Sequence, residues 1–305
     1  MTTKRVAVRA PGKVNLTLAV GPVGADGYHP LATTFMALDL YEDVVATAAA
    51  GLSLVYTDGP VDASGLDTGE ANLAIRAARL LAEATGHPAE AALEITKRVP
   101  IAGGMGGGSA DAAATLVACD ALWETNLTAE DLRALGAKLG SDVPFAMCGG
   151  VAVGTGRGDE LTSALAEGRF EWVLRFSDEG MSTPATYRAL DEHRDKHAAS
   201  LGPIHEPEVP EVVLTALRGG DVRALADLLE NDLQAPALRL RPDLAEVLEF
   251  GETHGALAGI VSGSGPTLAF LAEDAAAADA LHRAFLADGH RALRASGPTA
   301  GALAH

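Results

Sequence analysis

Through the first forty residues, apolar and polar positions alternate with a period of two, the pattern of half-buried strands. Val14, Leu16, Leu18 and Val20 share one face of the first strand, while Lys13, Asn15 and Thr17 share the other. The turn GADGYHP (24–30) separates it from a second strand, LATTFMALD. A further strand pair is expected around 43–48 and 52–56, ending in the turn TDGP. The period then changes. NLAIRAARLLAEAT (72–85) carries apolar residues at helical spacing, and Gly86 stops the helix. EAALEITK (90–97) returns to the strand period and leads through Arg98-Val99-Pro100 into a run of glycines.

Beyond the glycines the spacing predicts a small-residue helix over about 109–123. A second helix opens at Thr128-Ala129-Glu130-Asp131, a capping-box-like start. GSDVPF, a break at Gly149-Gly150 and a short strand follow. GTGRGDE (154–160) offers the best boundary, giving expected domains of 1–156 and 157–305. The second half reads as a strand, FEWVLRF, then a helix after Ser182-Thr183-Pro184. A Pro/His/Glu-rich loop at 200–210 and two or three helices over 211–254 come next. The chain closes as strand–GSGP–strand–helix–strand, in ALAGIV, TLAFLA, DAAAADALHRAF and HRALRAS. This mixture, with long antiparallel stretches, predicts an α+β protein of two domains and not a doubly wound sheet.

Composition narrows the function. The 305-residue chain is 48% hydrophobic but only 4% aromatic, so abundant alanine and glycine let its elements approach closely. No apolar run reaches the length of a membrane span. Arg9, Pro11, Lys13 and Asn15 interrupt any signal-peptide core, so a soluble cytoplasmic protein with no membrane partner is expected. A net charge of −18 argues against a surface that coats nucleic acid, which works by neutralising phosphates. Local backbone N–H groups can still bind a nucleotide on an acidic protein. Cys119 and Cys148 have neither zinc spacing nor a disulfide framework, and both read as small buried side chains.

The candidate chemistry lies in PIAGGMGGGSADAAAT (100–115), with five glycines in the six positions 103–108. Each glycine costs about 0.5–1 kcal/mol of ordering entropy relative to alanine, so bare backbone must be needed there. A glycine-rich turn between a strand and a helix offers several N–H groups and the positive end of the helix dipole, an anion site suited to phosphate. Two familiar templates fail. Gly104-Met105-Gly106 is followed at the third position by Ser109, which breaks G-x-G-x-x-G, and no glycine precedes Lys-Ser or Lys-Thr. A tight loop serving only helix-on-sheet packing is the bland alternative. If the loop instead forms the surface of a cleft, a valine at Gly107 should block phosphate and leave the fold intact.

The pattern from Pro100 through Gly104-Met105-Gly106-Gly107-Gly108-Ser109-Ala110-Asp111 resembles the phosphate loop of the GHMP kinases, named for galactose, homoserine, mevalonate and phosphomevalonate kinases. Four more segments match in order: APGKVNL (10–16), DGYH (26–29), LGSDVPF (139–145) and SGSGPT (262–267). The extra glycines and the Asp-Ala-Ala tail point to the isoprenoid branch, which acts on 4-diphosphocytidyl-2-C-methyl-D-erythritol. The resemblance implies an N-terminal domain like ribosomal protein S5 domain 2 and a ferredoxin-like C-terminal domain, with the active site between them. It implies ATP as phosphoryl donor, Mg²⁺ with it, and that small-molecule alcohol as acceptor. A homoserine- or mevalonate-type kinase and a non-catalytic sensor of the same fold remain the alternatives.

Each candidate residue also has an ordinary reading. Lys13 and Asn15 on a polar strand face would be a solvated lysine and an edge asparagine; by the resemblance, Lys13 sits beside the catalytic aspartate and Asn15 lines the acceptor cleft. Asp142, after Ser141 and before Val143-Pro144, could simply help start a helix. By the resemblance it is the general base. Pro100, Ile101, Ala102, Gly103, Gly104, Met105, Gly106, Gly107, Gly108, Ser109 and Ala110 form the nucleotide loop, flanked by Asn72, Lys97 and Arg98. Those three could equally be a helix cap and solvated strand-end cations. Tyr28, His29 and Tyr187 match the cytosine pocket, though an aromatic in a turn can merely cover a core edge. Asp111, near the expected phosphates, could only cap its helix and stays outside the catalytic set. Gly263, Ser264 and Gly265 read as a tight turn, or by the resemblance as a loop crossing to the phosphate loop. No dedicated metal cage is visible.

Overall fold

The computed structural model describes residues 4–25, 27–101, 103–177, 179–197 and 204–305. Two long strands, β1 (Arg5–Val20) and β2 (Leu31–Thr47), form an antiparallel ribbon at the centre of the first sheet. Register shifts between Pro11 and Lys13 and between Asn15 and Thr17 bend β1 where it carries its polar side chains. β2 is continuous where the pattern suggests two strands. Its first half pairs with β5 (Val151–Thr155) and its second half with β4 (Ala91–Thr96), so each half has its own outer neighbour.

The expected pairing of 43–48 with 52–56 does not form. β3 (Leu52–Thr57) lies parallel to β4, and β4 separates it from β2. Parallel neighbours need a crossover, supplied here by helix α1 (Leu73–Thr85), capped by Asn72 and ended by left-handed Gly86. α2 (Gly107–Trp123) packs beside α1 on the same sheet face and is buried nearly all round. Its alanines let it lie close against both β1 and β2. Cys119 is in that core, and burial pushes its thiol up to about 12. Cys148, expected to be buried, is exposed instead, because it ends the six-residue helix α4 (Val143–Cys148). The intervening α3 (Ala129–Leu139) starts in the anticipated capping box at Thr128 and Asp131.

β6 (Glu160–Ala164) extends the first sheet beside β5. The expected break at 156/157 therefore falls inside a hairpin, and the chain leaves this sheet only after Ala164. The second sheet contains β7 (Phe170–Arg175), β9 (Ala258–Val261), β10 (Leu268–Ala272) and β11 (Ala292–Gly297), in the order β11-β7-β10-β9. All its pairings are antiparallel, the strand order of a ferredoxin-like βαββαβ unit. Between β7 and β9 run α5 (Thr183–Lys196), α6 (Glu211–Gly219), α7 (Val222–Ala226), the bridge strand β8 (Glu230–Asn231), α8 (Gln234–Leu240) and α9 (Asp243–Thr253). α10 (Ala275–Ala287) joins β10 to β11.

Two features weld the halves together. Trp172, Leu174 and Ile260 of the second sheet share one core with Leu16 and Met36 of the first and with Val99 and Met105 of the segment between β4 and α2. The chain end also returns: β12 (Leu303–Ala304) pairs with β1, and Gly150 N–H donates to Thr299 at 2.6 Å. Among the described residues no helix is long and apolar enough to cross a membrane.

Candidate active site

The polar face predicted for the first strand is buried, and hydrogen bonds compensate it. Lys13 Nζ donates to Asn15 Oδ1 at 2.7 Å, Asn15 Nδ2 donates to Thr33 Oγ1 at 2.8 Å, and that hydroxyl donates to Thr17 O at 2.7 Å. This chain fixes the ammonium on a rigid strand. Asp142 Oδ2 lies 3.6 Å from it, the lysine side chain 8% exposed and the aspartate 30%. Asp142 occupies the N-cap position of α4, yet its side chain makes no capping hydrogen bond. The helix does start there, but the carboxylate itself caps nothing and faces a cleft with Lys13.

The glycine loop is held above this pair. Lys13 N–H donates to Met105 O at 3.0 Å, and the Met105 side chain is a core anchor. Gly104 and Gly106 have φ of +75° and +73°, a left-handed backbone that glycine adopts without strain. Gly103 and Gly104 answer to the second domain. A Cβ on Gly103 would lie 2.4 Å from Thr267 Oγ1, and one on Gly104 would lie 2.1 Å from Ser262 O. Ser262 Oγ also donates to Gly104 O at 3.2 Å, so the GSGP loop does cross to the glycine loop. Gly107 is not a loop position; it opens α2, with a Cβ 3.0 Å from Glu42 Oε1 and 3.2 Å from Val99 Cβ. A valine there would collide with buried groups, so the expectation that only phosphate binding would suffer is corrected.

Three adjoining cavities result. One of about 460 Å³ is lined by Pro100, Ile101, Gly103 through Ser109, Asn72 and Lys97. A small one of about 180 Å³ holds Lys13, Asn15 and Asp142, sharing Gly104 and Gly106 with the first. The third, about 810 Å³, contains Tyr28 and His29 and shares Tyr187 with the second. Ala102 lies outside the described residues. Ala110 is fully buried behind the loop, its N–H closing the first turn of α2 on Gly106 O.

Two flanking residues differ from expectation in detail. Asn72 lines the first cavity, but its amide is committed: Oδ1 accepts from Ala74 N–H at 2.8 Å, and Nδ2 donates to Tyr56 Oη and Asp67 O, each at 2.7 Å. Lys97 is no free phosphate cation. Its Nζ sits 2.6 Å from Glu42 Oε1 and 2.7 Å from Asp111 Oδ2, and all three groups are buried. Burial raises the Glu42 carboxyl to about 7, opposed by the Lys97 charge, and raises Asp111 by the same cause. Glu42 further accepts from Arg98 N–H at 2.8 Å and Val99 N–H at 3.3 Å, bracing the strand end that enters the loop.

In the third cavity the Tyr187 ring lies 5.3 Å from that of His29, and burial, then the Asp142 charge, pushes its phenol up to about 12. His29 is largely spoken for, Nδ1 by Gly21 O at 2.9 Å and Nε2 by Asp191 at 3.4 Å. Tyr28 is exposed beneath the Arg157 guanidinium, 4.6 Å being the comparable spacing of Arg9 over Tyr41 and 4.4 Å that of Arg157 over Tyr28. Arg157 lines both the second and third cavities. The sequence marks its segment GTGRGDE as a boundary, and a cation between Gly156 and Gly158 is the signal it carries. Glu42 had none, since LYED reads as a solvated strand end.

Comparison with known proteins identifies the family. The model for the GHMP kinases N terminal domain matches residues 72–150, and that for GHMP kinases C terminal matches 213–291. A 4-diphosphocytidyl-2-C-methyl-D-erythritol kinase of Leifsonia xyli subsp. xyli is 58% identical, covering 97% of each chain. One of the same name from Clavibacter michiganensis subsp. michiganensis is 57% identical over 99% of this chain and 96% of its own. A crystal structure of 4-(cytidine 5'-diphospho)-2C-methyl-D-erythritol kinase superposes with a TM-score of 0.76 at 34% identity, covering 95% of this chain and 98% of that one. Both family models fall in order on the two halves, and relatives more than half identical match almost end to end, so this chain belongs to the GHMP kinases.

Proposed function

We infer that this protein is an ATP-dependent kinase that phosphorylates the 2-hydroxyl of 4-diphosphocytidyl-2-C-methyl-D-erythritol. The observation that carries the reading is the Lys13–Asp142 pair, 3.6 Å apart, in the small cavity that joins the glycine pocket to the Tyr187 pocket. Relatives bearing that kinase's name supply the acceptor.

Phosphoryl transfer asks little covalent chemistry of a protein; positioning and charge stabilisation dominate. ATP phosphates lie on the backbone N–H groups of the glycine loop and the first turn of α2, with the remainder of the nucleotide in the first cavity, of about 460 Å³. The acceptor hydroxyl enters between Lys13 and Asp142. Asp142 takes its proton as the oxygen attacks the γ-phosphorus and the bond to ADP breaks. Lys13, oriented by Asn15, offsets the charge that gathers there. The cytosine packs against Tyr187 in the third cavity, with Tyr28 at its mouth and Arg157 placed for the diphosphate.

Among the described residues no group of three or more His, Cys, Asp or Glu side chains is arranged to hold a metal. The donors present fit a Mg²⁺ that arrives with the nucleotide, since Mg²⁺ takes one or two carboxylates beside phosphates and waters. Ser109, which lines the cavity given to the phosphates, would be its protein partner, and the ion would supply neutralisation of phosphate charge.

ADP release with four acceptors tests the reading: the cytidylated alcohol, 2-C-methylerythritol without its cytidine diphosphate, homoserine and mevalonate. Rapid turnover is expected only with the first. Equal turnover of the others would overturn the acceptor assignment, and ATP binding with no ADP from any would indicate a sensor.

A further inference from the structure

The short segment Glu230–Gln234 belongs to none of the matched motifs, yet its polar side chains hold two walls of the site. β8 pairs in parallel with β1 through Thr17 and Leu18, next to the Lys13–Asn15 face. Asn231 is buried, and its amide is fully used. Nδ2 donates to Val261 O at 2.8 Å and Gly263 O at 2.7 Å, and Oδ1 accepts from Leu233 N–H at 2.8 Å. Gln234 Oε1 adds a bond from Val261 N–H at 2.9 Å. The loop so held is the one facing the reacting centre. A Cβ on Gly263 would stand 3.4 Å from both Lys13 Nζ and Asn15 Oδ1, and 3.2 Å from Gly104 O.

The neighbouring residue reaches the other way. Asp232 Oδ2 accepts from Val20 N–H at 2.7 Å and from Arg194 at 3.1 Å, while its own N–H donates to Leu18 O at 2.9 Å. Arg194 in turn donates to Val20 O at 2.7 Å and Gly21 O at 3.2 Å. Gly21 O is also the partner of His29, and Arg194 lies on α5, which carries Tyr187. Leu233 packs between the arms with Leu18, Val20, Leu190 and Tyr187.

We propose that Asn231 and Asp232 are positioning residues with separable roles. Asn231 sets the Gly263 loop against Lys13 and Gly104, and so governs the transfer step. Asp232, through Arg194, sets the end of β1 and α5, and so governs acceptor binding. The division follows from geometry: the Asn231 bonds hold Val261 and Gly263, at the loop set against Lys13 and Gly104, and the Asp232 bonds hold Val20 and Arg194, beside the partner of His29 and on the helix of Tyr187. The assignment rests on the kinase reading above.

Three variants test it. Asn231→Asp removes the donors facing two carbonyls; kcat should fall about 10²-fold, the scale of an ~1 Å misplacement at a reacting centre, with both KM values within about threefold. Asp232→Asn keeps an acceptor for Val20 but loses the charge facing Arg194; KM for the alcohol should rise about tenfold, with kcat and KM for ATP little changed. Asp274→Ala, loss of a remote N-cap on α10, serves as the purely destabilising control. Asn231→Ser replaces Asn231→Asp if the latter does not fold. Hydrogen exchange gives a readout independent of turnover: faster exchange confined to 262–265 for the Asn231 variant and to 18–21 for the Asp232 variant. If both behave like the control, or share one kinetic and exchange pattern, the proposal is overturned. Absence of turnover in the wild type with the exchange patterns present would overturn the kinase reading alone.

Discussion

Gly104→Ala is the sharpest perturbation of the junction between the two domains. Its Cβ would stand 2.1 Å from Ser262 O, 3.1 Å from Ser262 C and 3.3 Å from Gly265 N, all backbone atoms that no rotamer change can clear. The residue must also hold φ at +75°, which costs an L-residue about 1–2 kcal/mol. Overpacking against backbone adds about 1–3 kcal/mol, so destabilisation of about 2–5 kcal/mol is expected. Relief comes by parting the glycine loop from the GSGP loop, and about 1 Å of such movement at a reacting centre costs on the order of 10²-fold in rate. Gly168→Ala is the matched control. It has φ of +81° and nothing within 4 Å of its Cβ position, so only the backbone cost applies. Urea unfolding and steady-state ADP release on both variants give the comparison. If Gly104→Ala equals Gly168→Ala in stability and in kcat, the loops do not depend on each other and the reasoning fails.

Asp142→Asn should lower kcat by roughly 10²–10⁴-fold with ATP affinity nearly unchanged by calorimetry, and wild-type turnover would remove Asp142 as the base. Tyr187→Ala should raise KM for the cytidylated acceptor about 5- to 150-fold through loss of base stacking, leaving KM for ATP alone; an unchanged KM would place the base elsewhere. Glu42 and Asp111 give a pH signature. Both are acids whose folded-state pKa lies above the ordinary value, so the folded state holds extra protons and stability falls as pH rises, for Glu42 from about 4.5 to about 7. Asp111→Asn leaves Lys97 one carboxylate partner, so it should flatten that slope and match or exceed wild-type stability at pH 8. Thermal melts from pH 5 to pH 8 check this, and an unaltered slope would acquit the triad.

The strands, helix caps and glycine loop were legible in the sequence because each is set by neighbours a few residues apart. Gly86 ends α1, Thr128 and Asp131 cap α3, and alternation marks β1, all through local backbone and side-chain geometry. The candidate-site motifs are legible for a related reason: the glycine run falls between a strand and a helix, and GSDVP puts its carboxylate at a helix start. The tertiary structure alone decided which groups share a charge or a wall. Pattern could not choose β4 as the neighbour of β3, since alternation fixes a buried face and not a pairing partner. It could not bring Glu42 to Lys97, which leaves that lysine bound to acids rather than free for phosphate. Gly107 is required by Glu42 and Val99, and Gly104 by Ser262, residues on separate elements. Asn231 and Asp232 reach the site through hydrogen bonds spanning both domains. Such contacts follow from how the two sheets pack on their common core around Trp172 and Met36, which no stretch of the chain encodes locally.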